Sequence, residues 1–225
     1  MTVTLDISDD IAVITIDDGG RNVINHEVLD ALEPAWEQAE AGAKAIVLVG
    51  REGSFCAGYD IRVMTGADPK AAGRLGGRGG RLANRMFRST VPTVAVATGH
   101  TMTIGAVWLA CLDVRIGERG AFKYGMTEVA LNVPYRDAWP LIPLRTRLTS
   151  RHLIPVILHS RIYDPEGALE AGFIDQLVDA GAGMDTALTL AADLAKLPGE
   201  AYRISKQTLL AEPLAAMAEI GRAHV

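Results

Sequence analysis

Alternating apolar and polar positions open the chain. Residues 3–18, VTLDISDDIAVITIDD, alternate with a period of two on both sides of Asp9 and Asp10. This pattern predicts a β-hairpin that turns at the two aspartates. Residues 25–41 then place apolar side chains at helical spacing, and Gly42 follows them. They predict a helix, which Pro34 should kink or divide.

Short apolar segments predict further strands. They are residues 44–50 (KAIVLVG), 93–99 (TVAVATG), 113–118 (DVRIGE) and 121–125 (AFKYG). The first two are almost wholly apolar, as strands buried on both faces are. Residues 104–113, IGAVWLACLD, predict a helix that is apolar nearly all round. From Asp164 onward the pattern is mainly helical, with one short strand at residues 173–178. Buried strands alternating with helices indicate an α/β fold.

The segment 64–90 differs from the rest in composition. It has six basic residues, six glycines and a single acid, Asp68. Glycine at this density disfavours a helix, so we expect a mobile loop that enters a helix near Leu82. Two interpretations stay open: a solvated flexible connection, or an anion site, because arginine and free backbone N–H groups both suit phosphate.

Composition narrows the class of protein. The chain has 225 residues, 49% of them hydrophobic, which is enough for one domain with a buried core. A formal net charge of −5 argues against a general affinity for nucleic acid or anionic membranes. No apolar run has the length of a membrane span, and the first ten residues lack the features of a signal peptide. With two distant cysteines, Cys56 and Cys111, no disulfide scaffold is expected, and we predict a soluble, cytoplasmic protein.

The sequence implies neither a metal site nor a nucleotide loop. HExxH and CxxC pairs are absent, and the five histidines are scattered. GREGSFCAG, residues 50–58, lacks the lysine and hydroxyl residue that follow the last glycine of a phosphate-binding loop. Cys56 has no histidine near it in sequence and is interpreted as a small packing residue. Asp60 is interpreted as the cap of a helical turn.

Four ordered blocks resemble the crotonase superfamily, the enoyl-CoA hydratases and isomerases. The first, residues 51–64, REGSFCAGYDIRVM, is similar to the family's F-[SCA]-A-G-x-D-[LI] signature. The other three blocks are residues 91–117, 121–134 and 161–178. Their order and spacing agree with the family across nearly the whole chain. The resemblance implies an α/β crotonase fold, in which repeated ββα units form a spiral core before a C-terminal helical region.

The resemblance also implies two regions and an oligomer. Residues 1–163 would form the ββα core, and residues 164–225, which end in GRAHV, a helical trimerisation region. We expect a homotrimer, with a hexamer as the alternative.

In the family, the residue at the x of A-G-x-D offers its backbone N–H to the thioester oxygen of an acyl-CoA. That residue is Tyr59 here, and the resemblance places a second N–H on Ile104, within TIG, where the family has three glycines. Every residue type except proline keeps such a donor. Two donors would stabilise an enolate oxygen, an effect of roughly 3 to 4 kcal/mol per donor.

Family hydratases use two glutamates to hold a water molecule. The later one matches Glu128, but the earlier one matches Val107, and valine accepts no hydrogen bond from water. The Δ3,Δ2-enoyl-CoA isomerases keep only the later glutamate. The resemblance therefore implies isomerisation, with Glu128 as a single acid/base whose pKa an apolar pocket would raise. Asp137 could supply a second carboxylate, and an exposed ion pair with Arg136 is the alternative.

The other predicted site residues would bind substrate. Those expected to contact the substrate are Ala57, Gly58, Asp60, Ile61, His100, Gly105, Val107, Tyr135 and Trp139. Those expected at the phosphates of CoA are Lys70, Arg74, Arg78 and Arg81. CoA enters as the thioester substrate, and no cofactor or metal is implied.

Two other functions stay open. One is hydration of a 2-enoyl-CoA by Glu128, alone or with Asp137. The other is a non-catalytic homologue that binds acyl-CoA, or RNA through its arginine segment. Phe87 is the one aromatic residue of that segment, which disfavours RNA, and we expect no nucleic-acid or membrane partner.

Overall fold

The structure is a computed structural model that describes residues 2–223. Its strands are β1 (Val3–Ser8), β2 (Ile11–Ile16), β3 (Val23–Ile24), β4 (Ala45–Gly50), β5 (Gly53–Cys56), β6 (Gly58–Tyr59), β7 (Thr93–Ala97), β8 (Gly99–Met102), β9 (Val114–Glu118), β10 (Tyr124–Gly125) and β11 (Gln176–Val178). Its helices are α1 (His26–Gly42), α2 (Ile61–Met64), α3 (Pro69–Phe87), α4 (Ile104–Cys111), α5 (Leu141–Arg147), α6 (Ser150–Ile157), α7 (Pro165–Ala171), α8 (Gly183–Leu194), α9 (Gly199–Leu209) and α10 (Ala211–Ala223).

The strands form one large sheet and two small ones. The large sheet has the order β1-β2-β4-β7-β9-β11 and is parallel except for the β1–β2 hairpin. The small sheets are β10-β8-β5 and β3-β6, both parallel. The hairpin turns where the sequence predicts it, because Asp9 and Asp10 adopt the positive φ angles, +50° and +67°, of a tight turn.

A ββα unit repeats along the chain. In β4–β5, β7–β8 and β9–β10, the first strand joins the large sheet and the second joins the three-stranded sheet. The helices α2, α4 and α5 follow these pairs in turn. The predicted fold class is therefore confirmed. The region predicted as C-terminal is joined to this core, since β11 pairs with β9 and α8 packs on β4 and β7. Residues 1, 224 and 225, at the ends of the two predicted regions, lie outside the described residues.

The central strands β4 and β7 of the large sheet are buried on both faces, as their apolar sequences predict. Along β4, Ile46 and Leu48 face the main core with α1 and α4, whereas Val47 and Val49 face a second cluster that includes α8. Helix α4 is buried at every position from Ile104 to Cys111, which accounts for its uniformly apolar sequence. Pro34 is expected to kink or to divide helix α1. The helix is continuous from His26 to Gly42, so it is not divided there.

The prediction of a mobile loop that enters a helix only near Leu82 is wrong for residues 69–81. Residues 69–87 form the continuous helix α3, which begins at the cap residue Asp68. Its glycines create a surface on which aromatic rings meet the helix backbone. The Tyr59 hydroxyl donates to the Gly76 carbonyl at 3.3 Å, and the Trp108 indole N–H donates to the Gly79 carbonyl at 3.2 Å. These contacts offset the low helix propensity of glycine, which propensity alone cannot anticipate.

Two substitutions in α3 test this explanation. A Cβ at Gly79 would lie 2.1 Å from the Tyr59 hydroxyl oxygen, whereas a Cβ at Gly73 would meet nothing within 4 Å. We expect Gly79→Ala to lower the free energy of unfolding by about 1 to 3 kcal/mol through overpacking. Gly73→Ala should raise it by up to about 1 kcal/mol, because alanine is the better helix former. Urea denaturation measures both, and equal stabilisation by the two changes would contradict the explanation.

Candidate active site

The signature segment turns sharply at Gly58. This glycine has a φ of +108°, and a Cβ there would lie 2.3 Å from the Thr103 hydroxyl oxygen, so both its conformation and the available space require glycine. The next residues pair with β3, where the Asp60 N–H donates to the Ile24 carbonyl at 2.9 Å. Consecutive N–H groups point to opposite sides of a strand. The Tyr59 N–H is therefore directed away from β3.

A second backbone donor lies at the start of α4. Thr103 precedes the helix with a φ of +50°, which is unusual for a β-branched residue, and its side chain makes no capping hydrogen bond. The Val107 N–H reaches back to the Thr103 carbonyl at 3.1 Å as the helix begins. The N–H of Ile104, the first helical residue, has no partner within the helix and lies at its positive end. Backbone strain of this kind is concentrated at functional sites.

The two donor segments pack directly against each other. Besides the contact between Gly58 and Thr103, a Cβ at Gly105 would lie 2.6 Å from the Cys56 Cβ and 2.8 Å from its carbonyl oxygen. Only glycine allows so close an approach of the two backbones. Tyr59 and Ile104 each stand next to one of these contacts. The segments that carry these two N–H groups, distant in sequence, are therefore neighbours in the fold.

Glu128 follows β10, which pairs with β8, the strand that leads into α4. The parallel pairing of β10 with β8 brings Gly125 beside Met102, and the Thr103 N–H donates to the Gly125 carbonyl at 2.9 Å. Three residues later, Glu128 begins a turn that is closed by the Val133 N–H, which donates to the Glu128 carbonyl at 2.8 Å. Glu128 is thus held on the segment that adjoins the N-terminus of α4.

Burial and hydrogen bonds act in opposite directions on the Glu128 carboxyl. Loss of water contact raises its pKa above the ordinary value. Hydrogen bonds from its own N–H, from the Tyr135 hydroxyl and from the Thr127 N–H lower the pKa in part, but the net shift is upward. The Tyr135 hydroxyl lies 3.0 Å from Glu128 Oε2. A carboxyl with a raised pKa is suited both to accept and to return a proton near neutral pH.

Aromatic side chains of the site rest on α3. The Tyr59 ring lies against Gly79, and the Trp139 ring would lie 3.0 Å from a Cβ at Gly80. Burial raises the pKa of the Tyr59 hydroxyl, with smaller contributions from Cys56 and Glu128. Sequence reasoning missed this role of the glycines. Their spacing of three and four residues, which places them on one helix face, is the signal that could have revealed it.

The remaining residues of the signature segment have structural roles or face solvent. The Cys56 Sγ accepts from the Gly58 N–H at 3.4 Å, and burial raises the pKa of the thiol to about 12, so it is not a nucleophile. Asp60 caps α2, as predicted, and its hydrogen bonds from the Arg62 side chain lower its pKa. Ala57 is half-buried, and Ile61 is exposed.

The other predicted site residues differ in their surroundings. His100 Nδ1 accepts from the Lys123 N–H at 3.1 Å, and its pKa is lowered by burial and then by Lys123 and Arg21. Val107 is fully buried in α4, on the turn after Ile104. Asp137 is exposed, within the loop that follows the Glu128 turn.

The residues predicted for the CoA phosphates differ in their surroundings. Arg78 pairs with Asp30 at 2.8 Å and with Glu33 at 2.9 Å, so its guanidinium is engaged by α1. Arg74 pairs with Asp68, at the start of its own helix. Lys70 and Arg81 are exposed.

The described part of the chain shows neither a metal-binding cluster nor a membrane-spanning helix. Among the side chains that the structure describes, no three or more histidine, cysteine or acidic groups lie close enough together to hold a metal ion. Among the same residues, no helix combines the length and the apolar character needed to cross a membrane.

Comparison with known proteins identifies the family. The family model for enoyl-CoA hydratase/isomerase matches residues 6–220. The chain therefore belongs to the enoyl-CoA hydratase/isomerase family, and it is an acyl-CoA enzyme of that family. The resemblance noted in the four sequence blocks is confirmed, and it places the chain in the crotonase superfamily.

Solved structures agree in fold along the whole chain. An enoyl-CoA hydratase/isomerase family protein from Pseudomonas syringae has a TM-score of 0.93 and 30% sequence identity, and the match covers 99% of this chain and 96% of that one. The enoyl-CoA hydratase EchA3 from Mycobacterium ulcerans has a TM-score of 0.93 and 29% identity, with 100% and 98% covered. An enoyl-CoA isomerase from Mycobacterium tuberculosis has a TM-score of 0.91 and 28% identity, with 99% and 97% covered.

Proposed function

We propose that the protein is a Δ3,Δ2-enoyl-CoA isomerase that works through a thioester enolate. The observation that carries this proposal is that Glu128 is present without the second glutamate that a hydratase has on α4. Glu128 is a partly buried carboxyl with a raised pKa, while the position on α4 where a hydratase has its other glutamate is the buried Val107. A single acid/base suffices for isomerisation, because no water molecule has to be activated.

The proposed reaction moves one proton and one double bond. The Glu128 carboxylate removes a proton from C2 of a 3-enoyl-CoA, and the electron pair passes into a dienolate. The N–H groups of Tyr59 and Ile104 donate to the thioester oxygen as its negative charge develops, which supplies roughly 3 to 4 kcal/mol per donor. The protonated Glu128 then returns the proton at C4, giving the 2-enoyl-CoA. No atom is gained or lost.

The burial of Glu128 supports this role. Its raised pKa makes the carboxylate a stronger base and brings its pKa closer to that of the weakly acidic C2, so removal of the C2 proton becomes easier. Lys70 and Arg81, which are exposed on α3, are the better placed of the proposed contacts to the CoA phosphates, since Arg78 is engaged by two acids. A homotrimer also remains a prediction.

Hydration of a 2-enoyl-CoA is the second candidate, because relatives are named for it. They include the EchA3 hydratase from Mycobacterium ulcerans and the EchA19 hydratase from Mycobacterium tuberculosis. Hydration would need a second group to hold the water molecule. Val107 cannot do so, and Asp137 lies on an exposed loop.

A side-by-side assay separates the two candidates. Purified protein is given a 3-enoyl-CoA and, separately, crotonyl-CoA, and the products are followed by absorbance and chromatography. We expect the isomerisation kcat/KM to exceed that of hydration by about a hundredfold or more, the scale of one acid/base group. Hydration faster than isomerisation by a similar factor would overturn the proposal in favour of the hydratase.

A further inference from the structure

A loop of exposed residues follows Glu128 and turns inward at one point. Residues 129–134 and 136–138 are exposed, whereas Tyr135 between them is half-buried against the main core. Trp139, at the end of the loop, is the next inward side chain and packs on Gly80 of α3. An exposed loop has no packing reason to bury a tyrosine at its centre unless that side chain has a partner inside.

The partner of Tyr135 is the acid/base carboxyl itself. Its hydroxyl donates to Glu128 Oε2 at 3.0 Å, a good distance for a hydrogen bond to a carboxylate. The other hydrogen bonds to this carboxyl come from the backbone N–H groups of Thr127 and Glu128 itself, so Tyr135 is the side chain that approaches it from the loop. A bond to one carboxyl oxygen restricts rotation of the carboxyl and therefore fixes where the group meets the substrate.

The same bond stabilises the ionised form of the carboxyl. A hydroxyl that donates to a carboxylate favours the charge, and this contact lowers the pKa of Glu128 against the larger upward effect of burial. The reciprocal effect raises the pKa of the Tyr135 hydroxyl, after the larger contribution of burial. The charge of Glu128 also contributes to the raised pKa of the Tyr59 hydroxyl, on β6. Among the side chains that the structure describes, no cation contributes to the raised pKa of Glu128.

We propose that Tyr135 is a positioning residue, which holds the Glu128 carboxylate in its reacting orientation through the bond to Oε2. This inference rests on the proposed function, because it assigns to Tyr135 a task in the chemistry of Glu128. It differs from the contact with substrate that the sequence suggested for Tyr135. In that case the tyrosine would act on the acyl group, and its loss would change substrate affinity.

The variant Tyr135→Phe keeps the ring and removes only the hydroxyl. In the wild type, kcat/KM should rise as pH rises through the pKa of Glu128, because the ionised form removes the proton. Without the hydroxyl the charged form is less stable, so its pKa rises and this acid limb should move to higher pH by about one unit. Above the limb, kcat should fall about tenfold through loss of orientation, while KM stays within about twofold.

Tyr202→Phe is the matched control. Tyr202 also donates its hydroxyl to a carboxylate, Asp113 Oδ2 at 2.6 Å, but it lies on α9, and neither residue is part of the proposed site. It should lower the thermal unfolding midpoint and leave the pH profile in place. The unfolding midpoint of Tyr135→Phe, measured beside it, separates an effect on folding from an effect on Glu128.

The outcomes distinguish failure of the inference from failure of the proposed function. If Glu128→Gln abolishes isomerisation and Tyr135→Phe leaves the acid limb unmoved, the inference alone is wrong. A change confined to KM in Tyr135→Phe likewise overturns it in favour of a substrate contact. If Glu128→Gln remains active, the proposed function itself fails. In the variant with both changes, Tyr135→Phe should add less than a twofold further loss, because the group it positions is already gone.

Discussion

Glu128→Gln is expected to lower kcat for the isomerisation of a 3-enoyl-CoA by about a thousandfold, within the range attributed to a single acid/base. Glutamine has nearly the same shape as glutamate but neither accepts nor returns a proton at neutral pH. The Tyr135 hydroxyl, 3.0 Å from Oε2 in the wild type, can still donate to the amide oxygen. The loss should therefore lie in the chemical step, with the dissociation constant for acyl-CoA little changed. Steady-state kinetics and a binding isotherm measure the two quantities separately.

Glu212→Gln is the control for this substitution. Glu212 is an exposed residue in the first turn of α10, and the same change there should leave kcat within about twofold. Retention of more than a tenth of the wild-type kcat by Glu128→Gln would sink the assignment of Glu128 as acid/base.

Glu128→Gln should also be more stable than the wild type at neutral pH. Because burial raises the pKa of Glu128, the folded state holds this proton more tightly than the unfolded chain does. The free energy of unfolding therefore falls as pH rises from the ordinary pKa of a glutamate to the raised one. Glutamine carries no charge and avoids this loss. Lower activity combined with higher stability is the signature of a group kept for chemistry rather than for folding.

The elements that the sequence predicts correctly depend on local rules. The β1–β2 hairpin needs only alternation and two residues that tolerate positive φ, here Asp9 and Asp10. The strand β4 and the helix α4 are apolar throughout because both are buried on every side, and no partner has to be known to read this. The repeated ββα units, by contrast, are predicted from the family resemblance.

The helix α3 was not predictable in the same way. Intrinsic helix propensity depends only on the residue itself, and glycine has a low value because its backbone is flexible. On that basis residues 69–81 should not be helical. In the fold, rings from Tyr59, Trp108 and Trp139 rest on the faces that the glycines leave open. These rings come from three separate segments, so their contribution exists only after the chain has folded.

The candidate site likewise contains residues that the sequence locates and contacts that it does not predict. Sequence blocks locate Tyr59, Ile104 and Glu128, yet spacing alone gives no reason to pair Glu128 with Tyr135 rather than with another residue of the exposed loop. The contact depends on the turn that the Val133 N–H closes on the Glu128 carbonyl. The strained backbone of Thr103 is likewise invisible in the sequence, where a threonine simply replaces a glycine.

The second large effect is expected for Ile104→Pro, which should lower kcat about a hundredfold to a thousandfold. Proline is the one substitution that removes the backbone N–H proposed to face the thioester oxygen. Ile104 is the first residue of α4, the position at which proline is best tolerated in a helix, so the helix itself should form. The loss should be greatest in kcat, because the donor stabilises charge that develops only in the transition state.

Ile104→Ala provides the comparison that isolates the N–H. Ile104 is buried, and both variants remove its side chain from the core at a cost of about 2 to 5 kcal/mol in unfolding free energy. Alanine nevertheless keeps the donor, so the difference in kcat between the two variants measures the N–H alone. Thermal unfolding midpoints within a few degrees of each other establish that both are folded equally well. If two such folded variants then turn over the 3-enoyl-CoA at rates within threefold, the Ile104 N–H does not stabilise the enolate, and the second donor must be sought elsewhere.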